Sequence, residues 1–109
     1  MKINITSRHF KAHDTLQNYI KDKLEELNKY DELIMHADVI LSYTKPPHEF
    51  KHCEIILKLR DKILTAKEES DDFTKVFDIA FNKVEVQLQK HKDKHKKEKY
   101  SQKEVYKTI

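Results

Sequence analysis

The stretch with the most pointed chemistry is HEFKH, residues 48–52, which spells the H-E-x-x-H pattern of zinc proteases. That chemistry needs a helix, so that two histidines four residues apart meet one metal. Here Pro46 and Pro47 precede the motif and a strand pattern follows it. On a strand, positions four apart lie about 13 Å from one another, too far to chelate one ion. His91 and His95 fall four apart on a helical stretch, but two imidazoles without further ligands make a weak metal site. They continue the angular sector of that helix's apolar stripe, which favours packing or RNA contact. Cys53 reads as an inward strand residue, a small hydrophobe with no activating neighbour. Asp71 and Asp72 read as helix-start charges. No Ser/His/Asp set can be assembled from spacing. The chain has no glycine, which excludes glycine-rich phosphate loops. These residues predict a protein that is not an enzyme, with no catalytic residues, no metal, no cofactor and no small-molecule substrate.

The remaining chemistry is cationic. QKHKDKHKKEK, residues 89–99, holds six lysines, two histidines and two acids. Residues 1–82 carry 13 Lys/Arg against 15 Asp/Glu, and residues 83–109 carry 9 Lys against 4 acids. A basic end on a near-neutral body suggests a polyanionic partner. At 100° per residue, Lys83, Lys90, Lys94 and Lys97 share about a 60° sector and span roughly 21 Å, a row suited to successive phosphates. Lys92, Lys96 and Lys99 lie elsewhere around the helix. The plainer reading is a solvated helix end complementing the dipole. A membrane is not the expected partner, because the helix lacks the aromatic face that surface insertion wants.

The elements that must position these groups follow from periodicity. KINIT (2–6) alternates as a strand with Ile3 and Ile5 on one face. From Thr15 to about Tyr30, Leu16, Ile20, Leu24 and Leu27 form a helical stripe, with Asp14 as the expected N-cap. Lys23 lies at the stripe's edge and must snorkel. Residues 36–43, 51–60 and 63–68 read as three strands, with Ala37, Val39, Leu41, Tyr43, Cys53, Ile55, Leu57, Leu59, Leu64 and Ala66 facing in. SDD (70–72) opens a helix in which Phe73, Val76, Phe77, Ala80, Val84 and Leu88 keep helical spacing, and which is expected to end near Lys99. The order β-α-β-β-β-α predicts an α+β fold of two layers, a four-stranded sheet with two helices packed on one face. The first helix crosses over, so strands one and two should be parallel, and the rest should be hairpins. Residues 1–99 are expected to be one domain and 100–109 a flexible tail. A single cysteine, no apolar h-region and no apolar run of membrane length fit a cytoplasmic location.

Several stretches together resemble the ribosome hibernation promoting factors, or ribosome-associated translation inhibitors. They are INITSRHF at the start, LQNYIKDKLEELNKY in the first helix, ADVILS in strand two, and AKEESDDFTKVFDIAFNKVEVQLQKHKDK through the last helix. The resemblance covers residues 1 to about 96 and is to the short type. It implies a protein that binds the small ribosomal subunit in the mRNA/tRNA channel near the decoding centre. There it would contact 16S rRNA phosphates and inhibit translation under stress, starvation or in stationary phase. By position it implies RNA contacts for Arg8, Lys23, Lys29, Lys83, Lys90, Lys92 and Lys94, while His91 matches the KHK of short members. Lys97 joins this set from the helical row. Glu26 and Val86 depart from positions often basic in the family, and Lys62 replaces a common turn glycine. The chain is expected to need another factor for any ribosome dimerisation. The alternative is a general double-stranded or structured RNA-binding module, a class that usually lacks a strand such as KINIT before its first helix.

Overall fold

The computed structural model describes residues 1–30, 32–45 and 49–108, with side chains described as far as residue 93. The order is β1 (Lys2–Ser7), α1 (Asp14–Glu25), a 3₁₀ helix (Glu26–Tyr30), β2 (Ile34–Tyr43), β3 (Lys51–Leu59), β4 (Ile63–Ser70) and α2 (Phe73–Thr108). The strands form one sheet in the order β1-β2-β3-β4. β1 pairs with β2 in parallel, as the helical crossover requires, and the other pairs are antiparallel. The two-layer β-α-β-β-β-α fold expected from the sequence is the fold observed.

Alternation sets the inner face. Ala37, Val39, Leu41, Cys53, Ile55, Leu57, Leu59, Leu64 and Ala66 are all buried. Facing them are Ile20, Leu24 and Leu27 of the first helical segment and Val76, Phe77, Ala80, Val84 and Leu88 of α2. Phe81, outside the stripe read from the sequence, is buried with them. Each such Val, Leu or Phe contributes about 1.5–3 kcal/mol of burial. The opposite face is solvated and laced by cross-strand pairs. Glu54 stands opposite Lys67, His52 opposite Glu69, and Asn4 Nδ2 donates to Asp38 Oδ1 at 3.2 Å.

Several boundaries differ from the sequence reading. Asp14 lies inside the first turn of α1, and His13 holds the extended backbone that defines the cap, without a side-chain bond. Asp14 therefore meets the helix dipole as a charge only. The first helical stretch is also not one α-helix, because from Glu26 it tightens to 3₁₀ geometry. At three residues per turn, positions i and i+3 eclipse, so Leu27 and Tyr30 are buried on one side together. Last, α2 does not end near Lys99, and residues 100–108, expected as a tail, carry helical backbone. No Gly or Pro interrupts this lysine-rich run. β2 also starts two residues early, with an irregularity between Ile34 and His36 that leaves Met35 exposed and turns Ile34 inward.

Asp72 caps α2, its Oδ2 accepting the Lys75 N–H at 2.9 Å. Asp71, beside it, is held below the usual carboxylate range by the Ser70 hydroxyl and by Lys75. α1 is tied to α2 by the Tyr19 hydroxyl, which donates to Asp78 Oδ1 at 2.5 Å.

Two tests follow. Burial pushes the Cys53 thiol up to about 12, with the Glu54 charge adding to it. A thiol reagent at pH 8 is expected to label native Cys53 on the order of a thousandfold slower than the urea-unfolded chain, a ratio read by absorbance. The Tyr19 phenol is pushed from 10.0 to about 12, first by its hydrogen bond to Asp78, then by burial and by the charges of Asp78 and Glu26. A raised folded-state pKa gives stabilisation that is whole below pH 10 and lost as pH rises through 12. Tyr19→Phe should therefore lower unfolding stability at pH 8 by about 1–2 kcal/mol. In denaturant titrations that gap should narrow between pH 10 and 12.

Candidate nucleic-acid interface

α2 carries most of the cations, and its rotation decides where they point. The buried stripe faces the sheet, and side-chain ties hold the helix on both flanks. On the flank towards β4, Gln87 Nε2 donates to the Thr65 carbonyl at 2.9 Å, and Lys83 Nζ is bonded to Glu68. On the flank towards the first helical segment, Tyr30 Oη donates to Gln89 Oε1 at 2.5 Å, and Gln89 Nε2 donates to Asp93 Oδ1 at 3.2 Å.

The expected contact residues are divided by this frame. Lys83 and Lys90, seven residues apart, share the β4 flank within about 20°. Lys83 is folded back onto Glu68, while Lys90 is exposed with no carboxylate partner among the described residues. The side chains of Lys94 and Lys97 lie outside the described residues. Lys92 points some 200° around the helix from Lys90, towards the first helical segment. There its Nζ stands 5.1 Å from the centre of the Tyr30 ring, and Lys29 Nζ stands 5.3 Å from the same ring. Lys23 lies further along this seam, 5.5 Å from the Phe81 ring and 3.7 Å from Glu26 Oε2. Glu26 thus partly offsets the charge of a neighbouring lysine.

His91 and Arg8 stand apart. His91 follows the buried stripe, and its side chain is only 10% exposed, with Nε2 3.4 Å from Asp61 Oδ1 in the β3–β4 turn. Arg8 is exposed at the other end of the sheet, its N–H bonded to the Leu41 carbonyl at 2.9 Å. Near it Phe10 stacks on Phe73 at the start of α2. Nineteen residues of helix, about 28 Å, separate that end from Lys92. The structure brings Lys23, Lys29 and Lys92 along one seam, puts Lys90 behind it, and does not bring Arg8 to them.

Three features of this surface were not read from the sequence. In the sequence Tyr30 marks only a helix end, and its role depends on the 3₁₀ turn that buries it. Gln89 gave no signal. Arg60 and Lys62 were read as a tight turn, yet both are exposed beside Asp61, where the His91 contact sets them against α2. Lys62 takes its place in that turn without strain, since His9 alone among the described residues has positive φ.

The nucleophile-like groups assemble less. Thr44 Oγ1 is 2.6 Å from His52 Nε2, and His52 Nδ1 is 3.6 Å from Glu69 Oε2. The last distance is beyond hydrogen-bond reach, and Thr44 lies in open solvent. His48, the other histidine of HEFKH, lies outside the described residues. Among the described residues no three His, Cys, Asp or Glu side chains are grouped to hold a metal, and no helix is long and apolar enough to cross a membrane.

By architecture this is a small two-layer α+β domain with a cationic helix seam. A family model described as "Sigma 54 modulation protein / S30EA ribosomal protein" matches residues 3–96, and the chain belongs to that family. It is 27% identical over 94 residues to the ribosome hibernation promoting factor of Azotobacter vinelandii, across 86% of this chain and 85% of that one. It is 26% identical to the ribosome hibernation promotion factor of Bacillus subtilis, across 86% of this chain and 50% of that longer one. A ribosomal subunit interface protein from Coxiella burnetii has the same fold, with a TM-score of 0.76 and 27% identity over 85% of this chain and 99% of that one. The N-terminal domain of Thermus thermophilus Protein Y matches with a TM-score of 0.72 and 25% identity over 84% of this chain and 99% of that one. The family resemblance read from the sequence is borne out.

The divided cations make a direct prediction about RNA affinity. Lys90→Ala should lower the log–log salt slope of binding to ribosomes by about 0.7–0.9, whereas Lys83→Ala should leave it within error. Sedimentation at several KCl concentrations measures both.

Proposed function

We propose that this chain is a ribosome hibernation factor that binds the small ribosomal subunit. Its seat is the mRNA/tRNA channel near the decoding centre, where it contacts 16S rRNA phosphates and keeps mRNA and tRNA out. Residues 1–99 are the ribosome-binding part, and the action is in the cytoplasm. The observation that carries this reading is the convergence of Lys29 and Lys92 on Tyr30, with Lys23 along the same seam, in a chain of this family. The names of the Azotobacter, Bacillus and Coxiella relatives supply the partner.

The physics suits that partner. Folded rRNA presents phosphates and 2′-hydroxyls, which ammonium groups grip without reading bases. Occlusion needs a stiff body of fixed shape and no catalytic group. The helix ties at Tyr19–Asp78, Tyr30–Gln89 and Gln87–Thr65 provide that stiffness.

The test is co-sedimentation with purified small subunits, alongside translation in a cell-free extract. The wild-type protein should pellet with subunits at low salt, be released as salt rises, and depress translation. The triple change Lys29→Glu, Lys90→Glu, Lys92→Glu should abolish both effects while circular dichroism stays that of the wild type. Equal affinity for naked duplex RNA would instead favour a general structured-RNA binder.

A further inference from the structure

We infer that Tyr30 is the positioning residue of a two-ammonium seat, formed by Lys29 and Lys92, that takes a phosphodiester group of RNA. The inference rests on the RNA-binding reading above and names the group that organises one of its contacts.

The described lysines of the interface are held in two different ways. Lys83 is bonded to Glu68, and Lys23 stands 3.7 Å from Glu26 Oε2. A carboxylate can take one of an ammonium's three hydrogen-bond donors and offsets its charge. Lys29 and Lys92 have no carboxylate partner among the described residues and rest instead on one aromatic ring, at 5.3 and 5.1 Å from its centre. A ring face attracts a cation through its quadrupole but leaves the donors and the net charge in place for an anion. The two ammonium groups come from elements 63 positions apart in the chain, the 3₁₀ helix and α2. Each is on a long flexible stem, so a shared rest removes freedom that binding would otherwise have to remove. Their distances from the one ring put the two Nζ atoms at most about 10 Å apart, so their like charges add at an anionic group that reaches both.

The ring itself is fixed. It is 5% exposed, and its hydroxyl is bonded to Gln89, which is bonded in turn to Asp93. Asp93 is one of the acids on this side of α2, with Asp78 and Glu85, and the Gln89 amide occupies its Oδ1. Tyr30 thus links the burial of the 3₁₀ turn to the placement of two cations.

The test begins with the wild-type protein labelled with 13C-lysine. Ring currents should shift the Hε signals of Lys29 and Lys92 upfield of the other lysines. A short RNA oligonucleotide should then move both signals, and inorganic phosphate at the same concentration should not. In subunit binding, Tyr30→Leu should weaken affinity about tenfold and flatten the salt slope by roughly 1.4–1.8, a change that a merely structural role would not produce. Tyr30→Phe should restore most of both. Gln89→Met alters an exposed side chain, so it reports even if Tyr30→Leu fails to fold, and it should reduce the Lys92 shift and the affinity together. Unshifted Lys29 and Lys92 signals in the wild type would overturn the seat, as would an unchanged salt slope in a folded Tyr30→Leu protein. Equal perturbation by inorganic phosphate would overturn the assignment to an RNA phosphodiester. If the wild type ignored subunits while the oligonucleotide moved both lysines, the ribosome reading would fall and the seat would stand. If neither moved, the seat would fall as well.

Discussion

The rotation of α2 about its own axis is the constraint from which the rest of the surface follows. Val76, Phe77, Ala80, Phe81, Val84 and Leu88 are buried on the inner face of the sheet, so the helix has one way to lie. A helix turned by 100° would expose Phe77 and bury a lysine, and an unpaired buried ammonium is far costlier than any surface contact it could gain. Once that face is down, Lys92 must look towards the first helical segment and Lys90 towards β4. The polar ties on either flank, Tyr30–Gln89 on one side and Gln87–Thr65 on the other, are consequences of that setting and also reinforce it.

With the rotation set, the fate of each cation depends on its nearest neighbour. Where a carboxylate is within reach, as at Lys83, the positive charge is spent inside the molecule. Where an aromatic ring is the neighbour, the cation is oriented and keeps its charge. This distinction matters more for polyanion binding than the number of lysines. A row that looks continuous on a helical projection is broken at Lys83, while a pair that no projection joins, Lys29 and Lys92, is assembled by the fold. Lys23 is intermediate, resting on Phe81 and facing Glu26.

The same architecture recurs in relatives at about a quarter sequence identity. That is what a fold specified by alternation and helical spacing should show, because hydrophobic residues of roughly the right size suffice to define the layers. The surface is free to differ. Glu26, Val86 and Lys62 all sit at exposed positions, where none of them disturbs the core. They alter charge on one scaffold, and Lys62 does so in a turn whose backbone asks for no glycine.

The sequence alone determined the layers, the strand order, most of the inward residues and the family. Those rest on local periods of two and 3.6, and the apolar residues of this chain keep to them from Ile3 to Leu88. It also placed the excess positive charge on the last helix. Local pattern could not show where the first helix tightens, because a 3₁₀ turn at Glu26–Tyr30 and an α-helical turn share the same apolar spacing up to Leu27. Nor could it show that Tyr30 would meet Gln89, Lys29 and Lys92, that Glu68 would take Lys83, or that His91 would face Asp61. Each of those contacts joins residues on different elements, apart from Lys29 beside Tyr30. Only the packing of α2 against the sheet and the first helical segment decided which of them come within reach.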